Sequence, residues 1–278
     1  MSTINCRGKL LDLSQPKVMA IVNLTPDSFY SESRCPSVDE ALCRVDEVVR
    51  QGADIIDFGA CSTRPGAQVV DADEEWRRLC PVLVATRRKY PDAVISIDTF
   101  RSQVAEQSVS EGADIINDIS AGAIDDKMFA TVGRLQVPYV LMHMRGTPAT
   151  MQQFANYVNV TAEVMSELSQ SLRRLTDCGV HDVIIDPGFG FAKTLEQNYE
   201  LFAHLSDFAV FNRPLLVGVS RKSMIYNLLK IKPEDSLNAT TVLNTVALCQ
   251  GASILRVHDV PEAVQLVKVC QALTKKGQ

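Results

Sequence analysis

Short, almost wholly apolar runs recur along this chain, and a polar residue closes most of them. The stretch QGADIIDFG at 51–59 sets Ile55, Ile56 and Phe58 around Asp57. The same word returns as EGADIINDIS at 111–120, ending on Asn117 and Asp118. It returns more loosely as GVHDVIIDPG at 179–188 and QGASILRVHD at 250–259. Reading for such runs predicts eight strands, at 17–23, 54–58, 93–98, 113–117, 138–143, 182–186, 214–219 and 252–257. Continuous apolar character is expected of parallel strands that helices cover.

The intervening segments have helical spacing. SVDEALCRVDEVVRQG (37–52) offers Ser37 as an N-cap and Gly52 as a stop. TAEVMSELSQSLRRLTDCG ends on Gly179, LNATTVLNTVALCQG ends on Gly251, and VPEAVQLVKVCQALTKK lies near the end of the sequence. Gly52, Gly112, Gly179 and Gly251 stand where a helix gives way to a strand, as C-cap glycines do. Eight β-then-α units without a Pro/Gly/Ser-rich linker predict one α/β domain over 1–278, a (β/α)8 TIM barrel with a core at about 17–275. An open doubly wound sheet would gather its ligand groups at one switch point. Here polar residues close nearly every strand: Asn23, Asp57, Asp98, Asn117, His143, Asp186, Ser220 with Lys222, and Arg256 with His258. One such residue alone is most often a turn former or helix cap. A whole ring of them predicts a shared pocket at the C-terminal ends of the strands.

Composition narrows the class. Hydrophobic residues make up 46% and charged residues 22%, as in globular proteins, and the net charge is −5 without a basic run. A nucleic-acid surface is not expected. No apolar stretch approaches the roughly 20 residues of a membrane span. The N-terminal MSTINCRGKLLDLSQPKVMA lacks the layout of a secretory signal. The eight cysteines are scattered without a C-x-x-C pair, which predicts reduced thiols and a cytoplasmic location.

Three loops bear on the chemistry. NLTPDSF (23–29) and CSTRPGA (61–67) are polar and rich in turn residues, and are expected to be mobile βα loops over the pocket. GVSRKSM (218–224) runs into a helical start, where N–H groups beside a cation can hold an anion. With Arg256 and His258 it predicts a positive side, facing Asp98, Asn117 and Asp186 on the other. Carboxylates beside amides suit a planar, nitrogen-rich ring, because a guanidine-like edge meets a carboxylate bidentately. The residues thus predict a flat heterocycle at one end of the ligand and a phosphate or pyrophosphate at the other.

Taken in order, NLTPDSF, STRPGA, SIDT (96–99), IIND (115–118), LMHMRGTPATMQ (141–152), DPGFGF (186–191), GVSRKSM and RVHDV (256–260) make residues 17–270 resemble the dihydropteroate synthases, pterin-binding TIM-barrel transferases. The resemblance implies folate biosynthesis: a dihydropterin pyrophosphate joins 4-aminobenzoate and releases pyrophosphate through a cation-like intermediate. It implies Asp98, Lys222 and Asn23 as catalytic residues. Asp57, Asp98, Asn117, Met142, Asp186, Phe191 and Lys222 would hold the pterin. Asn23, Thr63, Arg256 and His258 would hold the pyrophosphate, with Mg²⁺ on Asn23. Phe29, Thr63, Pro65, Lys222 and Ser223 would frame the aminobenzoate. It also implies a homodimer, with apolar positions of the last two helices at the interface or packed on the barrel, and a sulfonamide target. No general base is assigned, since a neutral aromatic amine is itself the nucleophile. His143 is expected to support the rim. Two loops depart from the family pattern, at Tyr30-Ser31-Glu32-Ser33 and at Gly59-Ala60-Cys61-Ser62. In the first, Glu32 is expected to replace a missing carboxylate. Two rival readings share the pterin site: a methyltetrahydrofolate–corrinoid methyltransferase, which needs no pyrophosphate grip, and a non-catalytic pterin-binding homologue.

Overall fold

Alternation along each strand decides what faces the barrel axis and what faces the helices. The computed structural model describes residues 3–25, 37–61 and 70–274. The parallel strands are β3 (Lys17–Asn23), β4 (Ile55–Gly59), β5 (Val94–Asp98), β6 (Ile115–Asp118), β7 (Tyr139–Met142), β8 (Val183–Asp186), β9 (Leu216–Val217) and β10 (Ile254–Val257). They lie in the order β8-β7-β6-β5-β4-β3-β10-β9, and a parallel bridge from Ile185 to Leu215 brings the two ends together. The fold is therefore a (β/α)8 barrel, as the strand pattern predicts.

Outward residues such as Val18, Ala20, Val22, Ile56, Phe58, Ile95, Ile97, Tyr139 and Leu141 enter the large core shared with the helices. Inward residues form two layers. The lower is apolar: Met19, Ile55, Ile115, Val140, Ile184, Leu216 and Ile254. The upper holds the polar letters that interrupt the strand words.

The helices are α1 (Val38–Gln51), α2 (Ala72–Lys89), α3 (Ser102–Ser110), α4 (Met128–Leu135), α5 (Val160–Asp177), α6 (Leu195–Ala203), α7 (Ser223–Leu229), α8 (Leu237–Cys249) and α9 (Val260–Thr274). Ser37 caps α1 through a capping box with Glu40, and Gly52 ends it in the left-handed region at φ 95°. Both features follow the sequence reading. Among the described residues no helix is long and apolar enough to cross a membrane.

Two features depart from expectation. The strand predicted at 214–219 shrinks to Leu216–Val217; at its start Pro214 has no N–H to give the ladder. Its carbonyl still accepts the Ile185 N–H at 2.9 Å. The second is a hairpin before the predicted core, β1 (Thr3–Cys6) with β2 (Lys9–Asp12). Arg7 and Gly8 turn it with φ of 52° and 84°, the left-handed pair that a tight hairpin needs. Ile4 and Cys6, with Leu13 beyond the hairpin, pack on the lower apolar layer and close the barrel floor.

The recurring word now separates into two ends. The aspartate entering the strand binds backbone of a neighbouring element: Asp54 accepts the Val18 N–H at 2.9 Å, and Asp114 that of Ile95 at 2.8 Å. Asp182 accepts the Asn5 N–H at 2.8 Å and so ties the hairpin down. At the other end, Asp57, Asn117 and Asp186 belong to the upper layer. Asp118 does not: it receives the buried Tyr139 hydroxyl, the Ser120 hydroxyl and N–H, and the Gly122 N–H, and so shapes the loop after β6.

Candidate active site

Asp57 is fully buried at the centre of the upper layer. One of its oxygens accepts the Ser96 hydroxyl at 2.6 Å, and the other accepts Nε of Arg256 at 2.7 Å. The Asn117 amide donates to the same carboxylate at 3.2 Å. Arg256 extends its other arm to Asp98 at 2.7 Å. One cation thus bridges two carboxylates from β4 and β5. Burial pushes the Asp98 carboxyl up to about 7, with Arg256 opposing the rise and Asp57 adding to it. Burial also works against the charge on Arg256, but the two aspartates outweigh it and raise its pKa above the ordinary arginine value. The expected positive and negative sides therefore interlock. Arg256 reaches past β3 to the carboxylates because β10, β3, β4 and β5 are consecutive in the ring.

Asp186 closes the layer on β8, buried, with the Gly188 N–H on its Oδ1 at 2.8 Å. Burial raises its pKa, while Lys222 and the Gly188 bond draw it back. Lys222 precedes α7, donates to the Phe189 carbonyl, and sits over the Phe191 ring at 4.8 Å. Burial lowers the Lys222 ammonium to about 8, against the pull of Asp186. Met142 packs with Phe100, Ile119, Met144, Met151 and Ala192, and Phe191 leans on this group. A flat apolar wall thus stands beside the polar layer.

The turn after Asp186 is tightly constrained. Gly188 has φ +71°, and a Cβ there would lie 1.9 Å from the His143 carbonyl oxygen. Gly188→Ala is expected to cost about 2 kcal/mol or more, combining left-handed strain with a backbone collision. Urea denaturation measures this loss, and an unchanged midpoint would contradict the packing described.

Beneath the turn lies a buried chain of charge. Lys193 Nζ donates to the Gly188 and Phe191 carbonyls at 2.9 and 3.0 Å and meets His143 Nδ1 at 3.1 Å. His143 Nε2 faces Glu167 at 3.0 Å, and Arg145 braces Glu167 in turn. Burial, with Lys193 beside it, lowers His143 to about 4 even though Glu167 pulls the other way. Burial favours a protonated Glu167, but bonds from His143 and Arg145 win and hold it down at about 2. A neutral His143 fits both contacts: Nδ1 accepts from the ammonium and Nε2–H donates to the carboxylate. The unfolded imidazole protonates near 6.5. The stability that follows from keeping His143 neutral is thus full above about 6.5 and is lost as pH falls toward 4, by about 3 kcal/mol in all. The stability difference between the wild type and His143→Gln should shrink by that amount on acidification, as read by urea titrations at several pH values. A constant difference would refute it.

Beside β3, between α1 and the start of α9, a cleft of about 430 Å³ is lined by Asn23, Arg44, Glu47, Arg221, His258, Asp259 and Glu262. The Ser220 hydroxyl holds His258 Nδ1 at 3.1 Å, and Arg44 donates to the His258 carbonyl at 3.1 Å. Arg221 forms an ion pair with Asp259, so Lys222 is the cation of GVSRKSM that faces the polar layer. Gly59 borders both side chains: a Cβ there would lie 3.4 Å from the Asn23 amide oxygen and 3.8 Å from an Asp98 oxygen, at ordinary contact distance.

Comparison with known proteins places this geometry. The family model described as "Pterin binding enzyme" matches residues 19–258. The chain belongs to the pterin-binding enzymes. It is 42% identical over 272 residues to the dihydropteroate synthase of Escherichia coli strain K12, covering 96% of this chain and 94% of that protein. A Yersinia pestis dihydropteroate synthase solved with a sulfonamide drug complex superposes with a TM-score of 0.92 at 38% identity, covering 98% of this chain and 99% of that one. The Xanthomonas albilineans enzyme solved with 4-aminobenzoic acid gives 0.91 at 36% identity, with 98% of each chain covered.

Within this pterin-binding barrel, Asp57, Asp98, Asn117 and Arg256 form one bonded network. Asp186, Phe191 and Lys222 gather around the 186–191 turn, while Met142 belongs to the apolar wall. Asn23 and His258 line the cleft, and Ser223 opens α7. Phe29, Thr63 and Pro65 lie outside the described residues, as do both predicted mobile loops for most of their length, including Tyr30–Ser33 and Ser62. Ser96 stands in the SIDT motif without an expected role, and Lys193 is not among the expected site residues. Ser96 was legible as an inward position two residues before Asp98. Lys193 had one signal, a lysine between the apolar GFGFA and the capping box of Thr194 and Gln197.

Proposed function

We propose that this chain catalyses the dihydropteroate synthase reaction of folate biosynthesis, joining the methylene carbon of a dihydropterin pyrophosphate to the amine of 4-aminobenzoate. The observation that carries the reading is the inward layer of Asp98, Asn117, Asp186 and Lys222 beside an apolar wall, on a chain similar to dihydropteroate synthases over almost its whole length. Asp186 and Asn117 bind the N–H and carbonyl edge of the pterin, while Met142 and Phe191 cover its faces. Lys222 donates to the ring and borders the aminobenzoate with Ser223; Phe29, Thr63 and Pro65 complete that side.

In the reaction the C–O bond to pyrophosphate breaks and its electron pair leaves with the phosphate oxygen. The ring system delocalises the positive charge left on the methylene, and Asp98 stabilises it from the polar layer. The amine lone pair then forms the C–N bond, and the nitrogen gives up a proton to solvent water. Asn23, Thr63, Arg256 and His258 hold the pyrophosphate.

Mg²⁺ is the proposed metal, and the donor set fits it. Among the described residues no group of three or more His, Cys, Asp and Glu is placed to hold an ion. A magnesium ion that takes most of its oxygens from phosphate and water needs only one protein oxygen, and the half-exposed Asn23 amide offers one. When bound, the ion neutralises charge on the leaving pyrophosphate.

The proposed location is the cytoplasm, in keeping with eight scattered cysteines without a C-x-x-C pair. A second copy of the chain is the proposed cover for the exposed Val242 and Val246 of α8 and Val269 and Leu273 of α9. The deciding experiment is pyrophosphate release with both substrates and Mg²⁺. Release that requires 4-aminobenzoate supports the reading, and no release from folded protein removes it.

A further inference from the structure

We infer that Lys193 is a positioning residue: it sets the shape of the Asp186–Phe191 turn and thereby the affinity of the barrel mouth for the pterin ring. The inference rests on the pterin reading given under Proposed function. Lys193 lies below the turn and is buried, so it does not itself line the mouth. Burial lowers the Lys193 amine to about 7, against the pull of Asp186, and in the protonated form its three protons meet three acceptors: Gly188 O, Phe191 O and His143 Nδ1.

The backbone it grips is unusual. Gly188, Gly190 and Ala192 lie in the left-handed region, with φ of 71°, 81° and 49°. Such an alternation turns carbonyls to opposite sides of the segment and exposes them to loss of partners. Lys193 collects two of those carbonyls, Lys222 collects that of Phe189, and Asn198 accepts the Gly190 N–H at 2.6 Å. At one end of the turn, Asp186 Oδ1 is held by the Gly188 N–H, so the carboxylate and the clamped peptide move together. At the other end, the Phe191 carbonyl on Lys193 fixes where its ring meets Lys222. One buried cation thus coordinates the edge-reading carboxylate with the face-covering ring. Behind Lys193, the contact from His143 to Glu167 anchors the assembly to α5.

The test uses Lys193→Met, of similar length and without donors, and Lys193→Gln, which keeps two N–H donors on a shorter arm. The probe is the dihydropterin alcohol, the substrate without its pyrophosphate, titrated calorimetrically into full-length protein well below the melting temperature. The methionine variant is expected to bind the probe about tenfold more weakly or worse, and the glutamine variant about fourfold more weakly than the wild type. With both substrates saturating, kcat should stay within about threefold, and KM for 4-aminobenzoate within about twofold. Should the methionine variant fail to fold, the glutamine variant carries the same comparison. Probe affinity within about twofold of wild type in either folded variant overturns the inference and leaves the reaction assignment standing. So does a loss of kcat at unchanged probe affinity. A wild-type protein that binds no probe removes the pterin reading itself, and the inference with it.

Discussion

Exchanging Arg256 for methionine is expected to destabilise the protein by about 3–5 kcal/mol at pH 7 and to lower kcat/KM by about 100-fold or more. The guanidinium is the cation bonded to both Asp57 and Asp98. Removing it leaves two carboxylates close together, and the Ser96 and Asn117 donors both serve Asp57 rather than Asp98. The loss should depend on pH in a defined direction. Asp98 already protonates near 7 with Arg256 in place, well above the ordinary carboxylate range. Without the arginine it rises further. A carboxyl raised in the folded state favours the fold below its unfolded pKa, near 4, and that advantage is lost as pH rises through the folded value. The deficit of the variant relative to wild type should therefore narrow on acidification from pH 7 to 5. Adding Asp57→Asn should recover part of the stability, because it removes one of the stranded charges. Urea titrations of the single and double variants at both pH values measure this. A deficit that is small, or that widens in acid, would show that the bridge is not the support described.

The second large effect is on Asp186→Asn, which should keep the fold and lose about 10- to 200-fold in kcat/KM, equivalent to about 1.5–3 kcal/mol for a charge-assisted bond. The fold survives because the asparagine oxygen can still accept the Gly188 N–H. What disappears is the charge aimed at the donor edge of the ring. Steady-state kinetics, with circular dichroism as the control, decides it: a folded variant with unchanged kcat/KM takes Asp186 out of the site.

The barrel was legible because short apolar runs closed by a polar residue, as in IIND and VIID, recur between segments of helical spacing. Asp57, Asn117, Asp186 and Arg256 interrupt apolar words at positions that alternation turns inward. Their pairing was not legible. Arg256 and Asp57 are 199 residues apart, and only the ring order of β10, β3 and β4 brings them together. Charge sign alone suggested two facing sides, where the structure builds one interlocked layer. The hairpin escaped notice because β2 is mostly exposed and its sequence, KLLD, lacks a buried face. Its signal was the Arg7–Gly8 turn. Lys193 resembled an ordinary surface lysine because its partners are carbonyls and an imidazole, and backbone acceptors leave no mark in a sequence.

The aspartates at the strand entries, Asp54, Asp114 and Asp182, stand a full strand length from the reacting groups. This division separates what a laboratory can select for. Libraries confined to the floor, around Cys6, Leu13 and the entry aspartates, should move heat tolerance while leaving turnover nearly flat. Libraries confined to the mouth should move turnover, and at Arg256 and Gly188 they should move stability with it. A chain built from a word with an acid at each end therefore offers one rim where durability can be adjusted without touching the chemistry, while at the other rim the two are tied together.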